Sequence, residues 1–450
     1  METIAAISTA TGSGGIGIIR MSGEKSFEIL EKIFEQKKKQ SIEEIKGYTI
    51  KYGNIVENGE VVDEVLVSYF KAPKSYTTEN MCEINSHGGI VVERKILEEC
   101  LKNGAELAEP GEFTKRAFLN GRIDLIESEA VMNLINVKNE KSRKIAINNL
   151  KGSTTNQIKK LREKILKILT NIEVNIDYPE YHDIEVLTIE KLKKELITIE
   201  QSLDKLIENS KVSKLLTNGI NVAIIGRPNV GKSSILNKLI EEDKAIVTDI
   251  PGTTRDIVEA GLNIDGITLN LIDTAGIRET EDIVEKIGVE KSKEIIEKSD
   301  LILLVLNNNE KLTKEDEKLL ELSKNKLRII VVNKSDLDKK LEINLPNTVY
   351  TNTIDDEGLS KLIEKIKELF NLDQIETDDF YYISNINQVK KIENTKNSIK
   401  DIKEGLENNI PIDMLEIDLK NIWQTLGEVI GETYTEELLD NLFKDFCVGK

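Results

Sequence analysis

The residues best suited to chemistry form a loop, Gly226–Ser233, which fits the phosphate-binding pattern G-x-x-x-x-G-K-[ST]. The apolar run 222–225 before the loop predicts a buried strand, and residues 234–240 after it predict a helix. In that setting the backbone N–H groups of the loop surround phosphate oxygens, Lys232 adds a positive charge, and Ser233 offers a hydroxyl to Mg²⁺. A glycine-rich turn that matches the pattern by chance is the alternative.

Two further segments suit contact with Mg²⁺ and a terminal phosphate. Asp273-Thr274-Ala275-Gly276 follows the apolar run 267–272. Its carboxylate can hold Mg²⁺ through water, and its glycine lets the backbone approach the phosphate. The segment Pro251-Gly252-Thr253-Thr254-Arg255-Asp256 lies between this motif and the loop, and it supplies a switch threonine for Mg²⁺ and the γ-phosphate.

A fourth segment, Asn333-Lys334-Ser335-Asp336, follows the apolar run 329–332 and suits a guanine base. The Asp336 carboxylate only accepts hydrogen bonds, which matches the paired N–H donors on the edge of guanine. Adenine presents no such pair, so GTP is favoured over ATP. Four motifs in this order, on alternating strands and helices, predict a GTPase.

Composition limits the remaining functions. A length of 450 residues predicts about three domains. The net charge of −18 argues against a protein that coats nucleic acid by itself, although a local basic patch or a basic partner stays open. The three cysteines fit neither a metal site nor a disulfide framework, and no leader or stretch of about 20 apolar residues is evident. We therefore expect a cytoplasmic protein without a membrane segment.

The chain divides into four stretches. Residues 1–118 mix strand and helix patterns. They include a helix that starts at residues 22–24 and runs through Phe27, Leu30 and Phe34, and a hairpin whose turn is carried by residues 57–60. Residues 119–217 have helical periodicity, 218–371 contain the nucleotide motifs, and 372–450 return to helices. Helices on both sides of a compact nucleotide domain suggest that this domain is inserted in a loop of one helical domain.

Two smaller features bear on function. His87 has no cluster of metal-binding residues around it, so we expect it to be a structural hydrogen-bonding group. Near the C-terminus, Phe443 and Phe446 are expected to anchor a tail that carries Cys447 and Lys450 to a definite place. A disordered tail is the alternative, as is usual for chain ends.

Several segments together resemble one family. They are Gly14-Gly15-Ile16-Gly17-Ile18-Ile19-Arg20, Ser75-Tyr76-Thr77, His87-Gly88-Gly89, residues 110–120, the nucleotide motifs and Phe446-Cys447-Val448-Gly449-Lys450. By these segments the chain resembles the MnmE (TrmE) family of tRNA modification GTPases over its whole length, with Val448 where the family usually has isoleucine. The alternative functions are an Era-like ribosome-assembly GTPase, which would normally add a basic RNA-binding domain, and a purely structural switch.

The resemblance implies a multidomain α/β and α fold. It consists of an N-terminal α+β, tetrahydrofolate-binding-like domain that dimerises, a helical domain with a C-terminal cysteine motif, and an inserted Ras-like P-loop GTPase domain. It also implies a reaction with an FAD-dependent partner, MnmG (GidA), in a hetero-oligomer. The pair adds a (carboxymethyl)aminomethyl group to C5 of the wobble uridine of certain tRNAs, and 5-formyl- or methylene-tetrahydrofolate supplies the carbon. Because the chain is acidic, we expect most of the tRNA affinity to reside in the partner.

By the same resemblance, four residues contact the folate: Arg20, Glu83, Arg122 and Lys450. Cations suit the glutamate carboxylates of a folate, and an acid suits the donor edge of its pterin ring. A surface salt bridge is the alternative for Arg20 and Arg122. Cys447 corresponds to a family cysteine near the folate, and either a covalent role or a buried, inert thiol stays open.

The resemblance also extends to the hydrolysis step. Ras-like enzymes orient the attacking water with a glutamine at the position of Ile277, which an aliphatic side chain cannot do. The family instead uses a switch glutamate, here Glu285, which joins Lys232 and Cys447 as the predicted catalytic residues. A K⁺ ion takes the place of an arginine finger, and dimerisation of the GTPase domains completes its site.

The ligand sets are as follows. K⁺ is assigned to Asn229, Thr248, Ile250 and Thr253, and Mg²⁺ to Ser233 and Thr254; a plain turn residue is the alternative for Asn229. The residues predicted to bind GTP or GDP are Asn229, Val230, Gly231, Lys232, Ser233, Ser234, Thr248, Asp249, Ile250, Pro251, Gly252, Thr253, Thr254, Asp273, Thr274, Ala275, Gly276, Asn333, Lys334 and Asp336. Asn352-Thr353-Ile354 stands where a Ser-Ala-Lys element is usual, so we expect low nucleotide affinity with GTP specificity intact.

Overall fold

A computed structural model describes most of the chain. The described residues are 2–10, 12–38, 40–41, 44–177, 189–242, 258–264, 266–272, 294–352, 357–370, 380–444 and 446–449. They form two compact units, and each is assembled from separate stretches of chain. The first unit contains Met1–Met132, Ile158–Leu169 and Glu416–Lys450, and the second contains Asn133–Gln157 and Thr170–Leu415.

Some helices of the described chain lie between strands, and others follow one another directly. In chain order they are α1 Ser26–Ile33, α2 Ile90–Lys102, α3 Glu112–Leu119, α4 Leu125–Ile135, α5 Glu140–Leu150, α6 Ser153–Asp177, α7 Ile189–Asn218, α8 Lys232–Glu242, α9 Lys314–Leu322, α10 Glu357–Leu369, α11 Ile386–Glu407, α12 Ile412–Ile430 and α13 Glu436–Phe443. None of these helices combines the length and apolar character that crossing a membrane requires.

The first unit is built on a seven-stranded sheet. Its strands are β1 Ile4–Ile7, β2 Gly17–Ser22, β3 Phe34–Gln36, β4 Thr49–Glu57, β5 Glu60–Phe70, β6 Met81–Ser86 and β7 Glu106–Leu107. The spatial order is β3-β4-β5-β6-β2-β1-β7, and only the β1–β7 pair is parallel among these strands. Apolar side chains of α1, α2 and the sheet share one core. The mixed α+β prediction for this part of the chain is confirmed.

The predicted hairpin is present as β4 and β5. Asn58 and Gly59 form its two-residue turn with φ angles of 51° and 85°. A turn with both central residues at positive φ matches the twist of the flanking strands, and Asn-Gly is the preferred pair for it. The expected helix through Phe34 is wrong at its end, because α1 stops at Ile33. Phe34 is extended and pairs with Ile55 of β4.

The second unit contains a six-stranded sheet that carries the nucleotide motifs. Its strands are β8 Ile220–Ile225, β9 Val258–Ile264, β10 Ile267–Ile272, β11 Leu301–Asn307, β12 Arg328–Asn333 and β13 Thr348–Tyr350. The order is β13-β12-β11-β8-β10-β9, with β9 antiparallel to β10 and the other pairs parallel. Strands covered on both faces read as continuous apolar runs, which is why β8 and β12 were predictable.

Buried polar side chains hold the chain where it leaves the nucleotide domain. Asn149 donates a hydrogen bond to the backbone oxygen of Tyr382 at 3.0 Å, and the hydroxyl of Thr154 accepts one from the Tyr382 N–H at 3.0 Å. Ser210 of α7 accepts a hydrogen bond from the backbone N–H of Ile383 at 2.9 Å. The segment before α11 is therefore fixed to α5, α6 and α7.

Asn139 joins three elements of the second unit at the start of α5. Its side-chain oxygen accepts hydrogen bonds from the backbone N–H and the hydroxyl of Ser142, at 2.8 and 2.9 Å. Its amide donates to the backbone oxygen of Leu216 in α7 at 3.0 Å and to the hydroxyl of Thr268 in β10 at 3.1 Å. One buried side chain thus caps a helix and ties it to the nucleotide domain.

Replacing Asn139 by alanine is expected to lower the free energy of unfolding by about 2–4 kcal/mol, because it removes a helix cap and leaves buried partners unsatisfied. Urea denaturation followed by far-UV circular dichroism measures this change. Asn136→Ala, at an exposed position three residues earlier, is the matched control. Equal urea midpoints for the two variants would show that the Asn139 side chain does not stabilise the fold.

Candidate GTPase and folate-pocket sites

The phosphate-binding loop lies between β8 and α8, as predicted. Asn229 and Gly231 have φ angles of 64° and 100°. A side chain at Gly231 would begin 2.1 Å from the side-chain nitrogen of Asn333, so this position requires glycine. Val230 between them is buried in the core of the second unit. The buried Val230 side chain therefore anchors the loop to the core, and the loop backbone leads directly into α8.

Lys232 is half-buried within this loop. Its ammonium group donates hydrogen bonds to the backbone oxygens of Gly226 and Arg227, both at 2.8 Å. Burial lowers the pKa of Lys232 from its usual value. Anionic phosphate oxygens beside the amine would favour its charged form, and the positive end of α8 adds to that attraction. The geometry suits a polyphosphate.

The base-recognition segment is tied directly to the phosphate-binding loop. The Asn333 amide donates to the backbone oxygen of Val230 at 3.0 Å, and the Lys334 ammonium group donates to the backbone oxygen of Asn229 at 3.0 Å. The hydroxyl of the buried Thr351 donates to the side-chain oxygen of Asn333 at 3.3 Å. Sequence reasoning did not identify Thr351, whose only signal is its place immediately before Asn352.

Arg227 is a second residue that the sequence did not assign. It forms ion pairs with Glu310 and with Asp316, whose carboxylate lies 3.2 Å from the Arg227 Nε. Asp316 is buried and also takes part in the capping box that begins α9. Arg227 therefore holds the outer arm of the loop against α9.

Three of the four predicted folate residues gather in the first unit. Arg20 of β2 and Glu83 of β6 are cross-strand neighbours, and the Arg20 Nη2 lies 2.8 Å from the Glu83 carboxylate. Both side chains are mostly buried, with 15% and 20% exposed, so the pair is not an ordinary surface salt bridge. The Arg122 guanidinium stacks over the Tyr76 ring at 4.7 Å and donates to the Tyr76 backbone oxygen at 3.0 Å.

These residues border a cavity of about 550 Å³ in the first unit. Its wall includes Glu83, Arg122 and Tyr76, together with Tyr48 and Phe70. An aromatic wall with one carboxylate and one guanidinium suits a flat, polar heterocycle that carries carboxylates. Arg20 lies beside this wall, where it holds the Glu83 carboxylate in place.

The C-terminal tail is ordered, as predicted. Phe443 and Phe446 are buried, with ring centroids 4.9 Å apart. The backbone oxygen of Gly449 accepts hydrogen bonds from Arg20 and from the Ser8 hydroxyl, both at 3.0 Å. The backbone oxygen of Cys447 accepts one from the Gly111 N–H at 3.2 Å. The disordered alternative is wrong for residues 446–449, and the tail reaches the Arg20–Glu83 pair.

Comparison with known proteins gives the family. The family model "GTP-binding protein TrmE N-terminus" matches residues 3–122, and the model "MnmE helical domain" matches residues 125–447. The chain belongs to the MnmE family. Proteins named tRNA modification GTPase MnmE are 49% identical in Bacillus licheniformis, 47% in Bacillus subtilis and 48% in Streptococcus mutans, over 460, 459 and 452 residues. The alignments cover all of this chain and 99–100% of each relative.

The MnmE relatives match along the whole chain, so the Era-like alternative is not supported. A crystal structure of Aquifex aeolicus Era bound to GDP and aluminium fluoride is similar over 33% of this chain and 56% of that chain, at 27% identity and a TM-score of 0.25. The multidomain fold expected of an MnmE protein, with its TrmE N-terminal, helical and Ras-like parts, is confirmed.

Other MnmE-type site predictions fall outside the described residues. They are Thr248, Asp249, Ile250, Pro251, Gly252, Thr253, Thr254, Asp273, Thr274, Ala275, Gly276, Glu285 and Lys450, together with Thr353 and Ile354 of the atypical element. Within the described chain, Ser233 is the second residue of α8, which begins at Lys232, and Asp336 is exposed. The His87 ring forms a hydrogen bond with the Asp63 carboxylate at 2.7 Å, and its structural role stays a prediction.

Alkylation should distinguish the three cysteines of this MnmE-family chain. Cys447 is exposed, which excludes the buried alternative, whereas Cys82 and Cys100 are buried. Burial raises the pKa of Cys82 well above its usual value and that of Cys100 to about 12. We expect iodoacetamide at pH 8 to modify Cys447 at least about tenfold faster than either buried thiol, because only the thiolate reacts.

Peptide mass spectrometry over time measures the three alkylation rates. Cys447→Ser is the control, and this variant should stay unmodified until it is denatured. Rapid modification of Cys82 in the native chain would contradict the packing of the first unit.

Proposed function

We propose that this GTP-hydrolysing enzyme modifies the wobble uridine of certain tRNAs together with an FAD-dependent MnmG (GidA) protein. The pair would add a (carboxymethyl)aminomethyl group to C5, using a one-carbon unit from 5-formyl- or methylene-tetrahydrofolate. The observation that carries the proposal is the full-length similarity to proteins named tRNA modification GTPase MnmE. We place the reaction in the cytoplasm. We divide the chain into four domains, 1–118, 119–217, 218–371 and 372–450.

The phosphate-binding loop would perform the GTP chemistry. Backbone N–H groups of residues 229–233 bind phosphate oxygens, and the Lys232 amine moves from the loop carbonyls onto the phosphates. Ser233, at the start of α8, supplies a hydroxyl ligand for Mg²⁺, which when bound offsets charge on the phosphates. Asp336 selects guanine. Asn333, supported by Thr351, holds the base-recognition segment against the phosphate-binding loop through hydrogen bonds.

The cavity of the first unit would hold the folate. The Glu83 carboxylate accepts from the N–H donors of the pterin, Tyr76 offers a ring for stacking, and Arg122 attracts the glutamate carboxylates. Tetrahydrofolate, when bound, carries the carbon that is transferred. Arg20 orients Glu83 and fixes the tail through Gly449, two residues after the exposed Cys447. Lys450 would add a further cation.

A homodimer is supported by the outer face of the first sheet. Ile50 and Leu66 point to this face with 63% and 47% of their surface exposed, and Tyr52 pairs with Leu66 across the strands. The same face continues through Ser68 to Glu83. Large apolar side chains grouped on an exposed sheet face are typical of a surface that associates.

Reconstitution tests the proposal. The purified chain is incubated with MnmG, unmodified tRNA, GTP, Mg²⁺, K⁺, a reduced folate and an ammonium or glycine source, and the nucleosides are analysed by mass spectrometry. We expect a C5-aminomethyl-type uridine that requires both proteins, GTP and the folate. Full modification without the folate would overturn the one-carbon assignment, and full modification without this chain would overturn the function.

The K⁺ proposal has its own test. We infer that Asn229, which has a positive φ, shares K⁺ with Thr248, Ile250 and Thr253, and that Glu285 orients the attacking water. GTP hydrolysis is compared in K⁺ and in Na⁺ at matched ionic strength, for the wild type and for Glu285→Ala. Strong K⁺ activation that the variant loses is the expected result. Equal rates in both salts would overturn the ion site.

A further inference from the structure

Helix α6 carries an excess of positive charge in a chain whose net charge is −18. Over its full length it has five basic side chains, Lys159, Lys160, Arg162, Lys164 and Lys167, against three acids, Glu163, Glu173 and Asp177. All five basic residues lie within 159–167, where Glu163 is the single acid. Abundant lysine alone does not explain this, because α7 balances six lysines with five acids over 189–218. The marked excess is therefore confined to residues 159–167 of α6.

The basic residues of α6 divide by their surroundings. Arg162 is buried, stacked over Trp423 at 4.1 Å with its Nε donating to the Trp423 backbone oxygen at 3.1 Å, so it is structural. Burial raises the pKa of Glu127, and the charge of Lys159 opposes that effect, so Lys159 lies near a carboxylate. The remaining three, Lys160, Lys164 and Lys167, form what we call the α6 lysine face.

The α6 lysine face is a compact stripe. Its members are spaced i, i+4 and i+7, so they lie on one side of the helix and span about 10 Å along it. Lys160 and Lys167 are exposed, and Lys164 is half-buried. The apolar side chains of the same helix, such as Ile158, Leu161 and Ile165, are buried on another side. Lys160 and Lys167 are therefore accessible to solvent on this helix, and Lys164 is partly accessible.

We propose that the α6 lysine face binds the phosphate backbone of the tRNA substrate. The inference rests on the proposed function, which makes tRNA the polyanion that this protein meets. A local cationic face attracts a phosphate backbone without reading its sequence, and the acidic remainder of the chain repels it elsewhere. The face therefore directs the RNA onto the helical domain. Three lysine–phosphate contacts contribute modest affinity, which agrees with the expectation that most of the tRNA affinity resides in the partner protein.

The test is the salt dependence of tRNA binding by the full chain, measured by fluorescence anisotropy with end-labelled tRNA at 25–200 mM salt, about the range in which phosphate contacts dominate. The variant is Lys160→Gln/Lys164→Gln/Lys167→Gln, since glutamine keeps the helix propensity of lysine. We expect the slope of log K against log salt to flatten by about 2–3, and binding at the lowest salt to weaken at least about tenfold.

The matched control removes the same charge from α7. Lys194, Lys211 and Lys214 are exposed there, on a helix whose charges are balanced, and Lys194→Gln/Lys211→Gln/Lys214→Gln should keep the wild-type slope. Equal slopes for the α6 variant and the wild type would overturn the proposal, and so would equal flattening by both triple variants. Loss of binding to anionic phospholipid vesicles with unchanged tRNA binding would assign the face to a membrane and also overturn it.

GTP hydrolysis and the reconstituted modification separate this result from the proposed function. The α6 lysine face lies outside the nucleotide machinery, so the α6 variant should hydrolyse GTP at the wild-type rate, which also reports that it is folded. Its KM for tRNA in the modification reaction should rise while kcat is kept. If the wild type modifies tRNA but the slopes are equal, only the α6 assignment fails. If the wild type modifies no tRNA, the proposed function fails whatever the slopes are.

Discussion

Replacing Lys232 by alanine is expected to lower kcat/KM for GTP hydrolysis at least about 10³-fold, because a positive charge at the transferring phosphate stabilises the transition state. The amine is placed for this by the loop, where two backbone oxygens at 2.8 Å hold it within the curve of residues 226–233. Lys232 is the only lysine of the loop 226–233. Lys334, which follows β12 and contacts the loop, cannot replace it, because its ammonium group donates to the backbone oxygen of Asn229. Phosphate release at saturating and at low GTP measures the loss.

The stability of the same variant separates catalysis from folding. Burial lowers the pKa of Lys232, so the charged amine is not well accommodated by the folded chain alone. Its removal should therefore leave the thermal midpoint of the unliganded protein within a few degrees of the wild type. Lys318→Ala, at an exposed position of α9, is the control and should keep full activity. Activity within tenfold of the wild type for Lys232→Ala would show that the loop is not the hydrolytic site.

The nucleotide domain could be predicted from the sequence because its signals are local. Strands buried on both faces leave continuous apolar runs, as in β8 and β12, and the motifs follow these strands directly. Hairpin β4–β5 was equally predictable, because Asn58 and Gly59 are the residues that its turn requires. The end of α1 was not, since the apolar residues up to Phe34 fit a helix and tertiary pairing with β4 decided otherwise.

The contacts that position the sites could not be predicted, because they join residues far apart in the sequence. Thr351 supports Asn333, Arg227 reaches Asp316, and Asn139 reaches Thr268 only after the sheet is assembled. Neither Thr351 nor Asn139 has a chemical type that marks it as functional. In the first unit, residue types alone did not single out Glu83. The family resemblance did, and the neighbouring positions of β2 and β6 supply its physical reason.

Replacing Arg20 by methionine is expected to destabilise the first unit by about 2–4 kcal/mol. The change leaves the mostly buried Glu83 carboxylate without its cation. Removing one partner of a fully buried ion pair lowers the free energy of unfolding by about 3–5 kcal/mol. We expect a smaller loss here because both side chains are partly exposed. The replacement also removes the hydrogen bond to the backbone oxygen of Gly449, so the tail should become accessible to proteases. Urea denaturation measures the stability, and limited proteolysis measures the tail. Lys115→Met, which breaks the exposed pair with Asp440, is the control and should cost less than about 1 kcal/mol.

The double variant Arg20→Met/Glu83→Gln decides what the pair is for. With the carboxylate neutralised, no buried charge is left unpaired, so most of the lost stability should return. Reduced-folate binding, measured by isothermal titration calorimetry, should not return, because the neutral amide cannot act as the charged acceptor for a pterin, and it should stay at least about tenfold weaker than in the wild type. Recovery of both stability and reduced-folate binding would show that the pair only stabilises the packing of β2, β6 and the tail. Recovery of stability alone means that the fold tolerates the loss of this ion pair, and that its charges are kept for a ligand in the adjoining cavity.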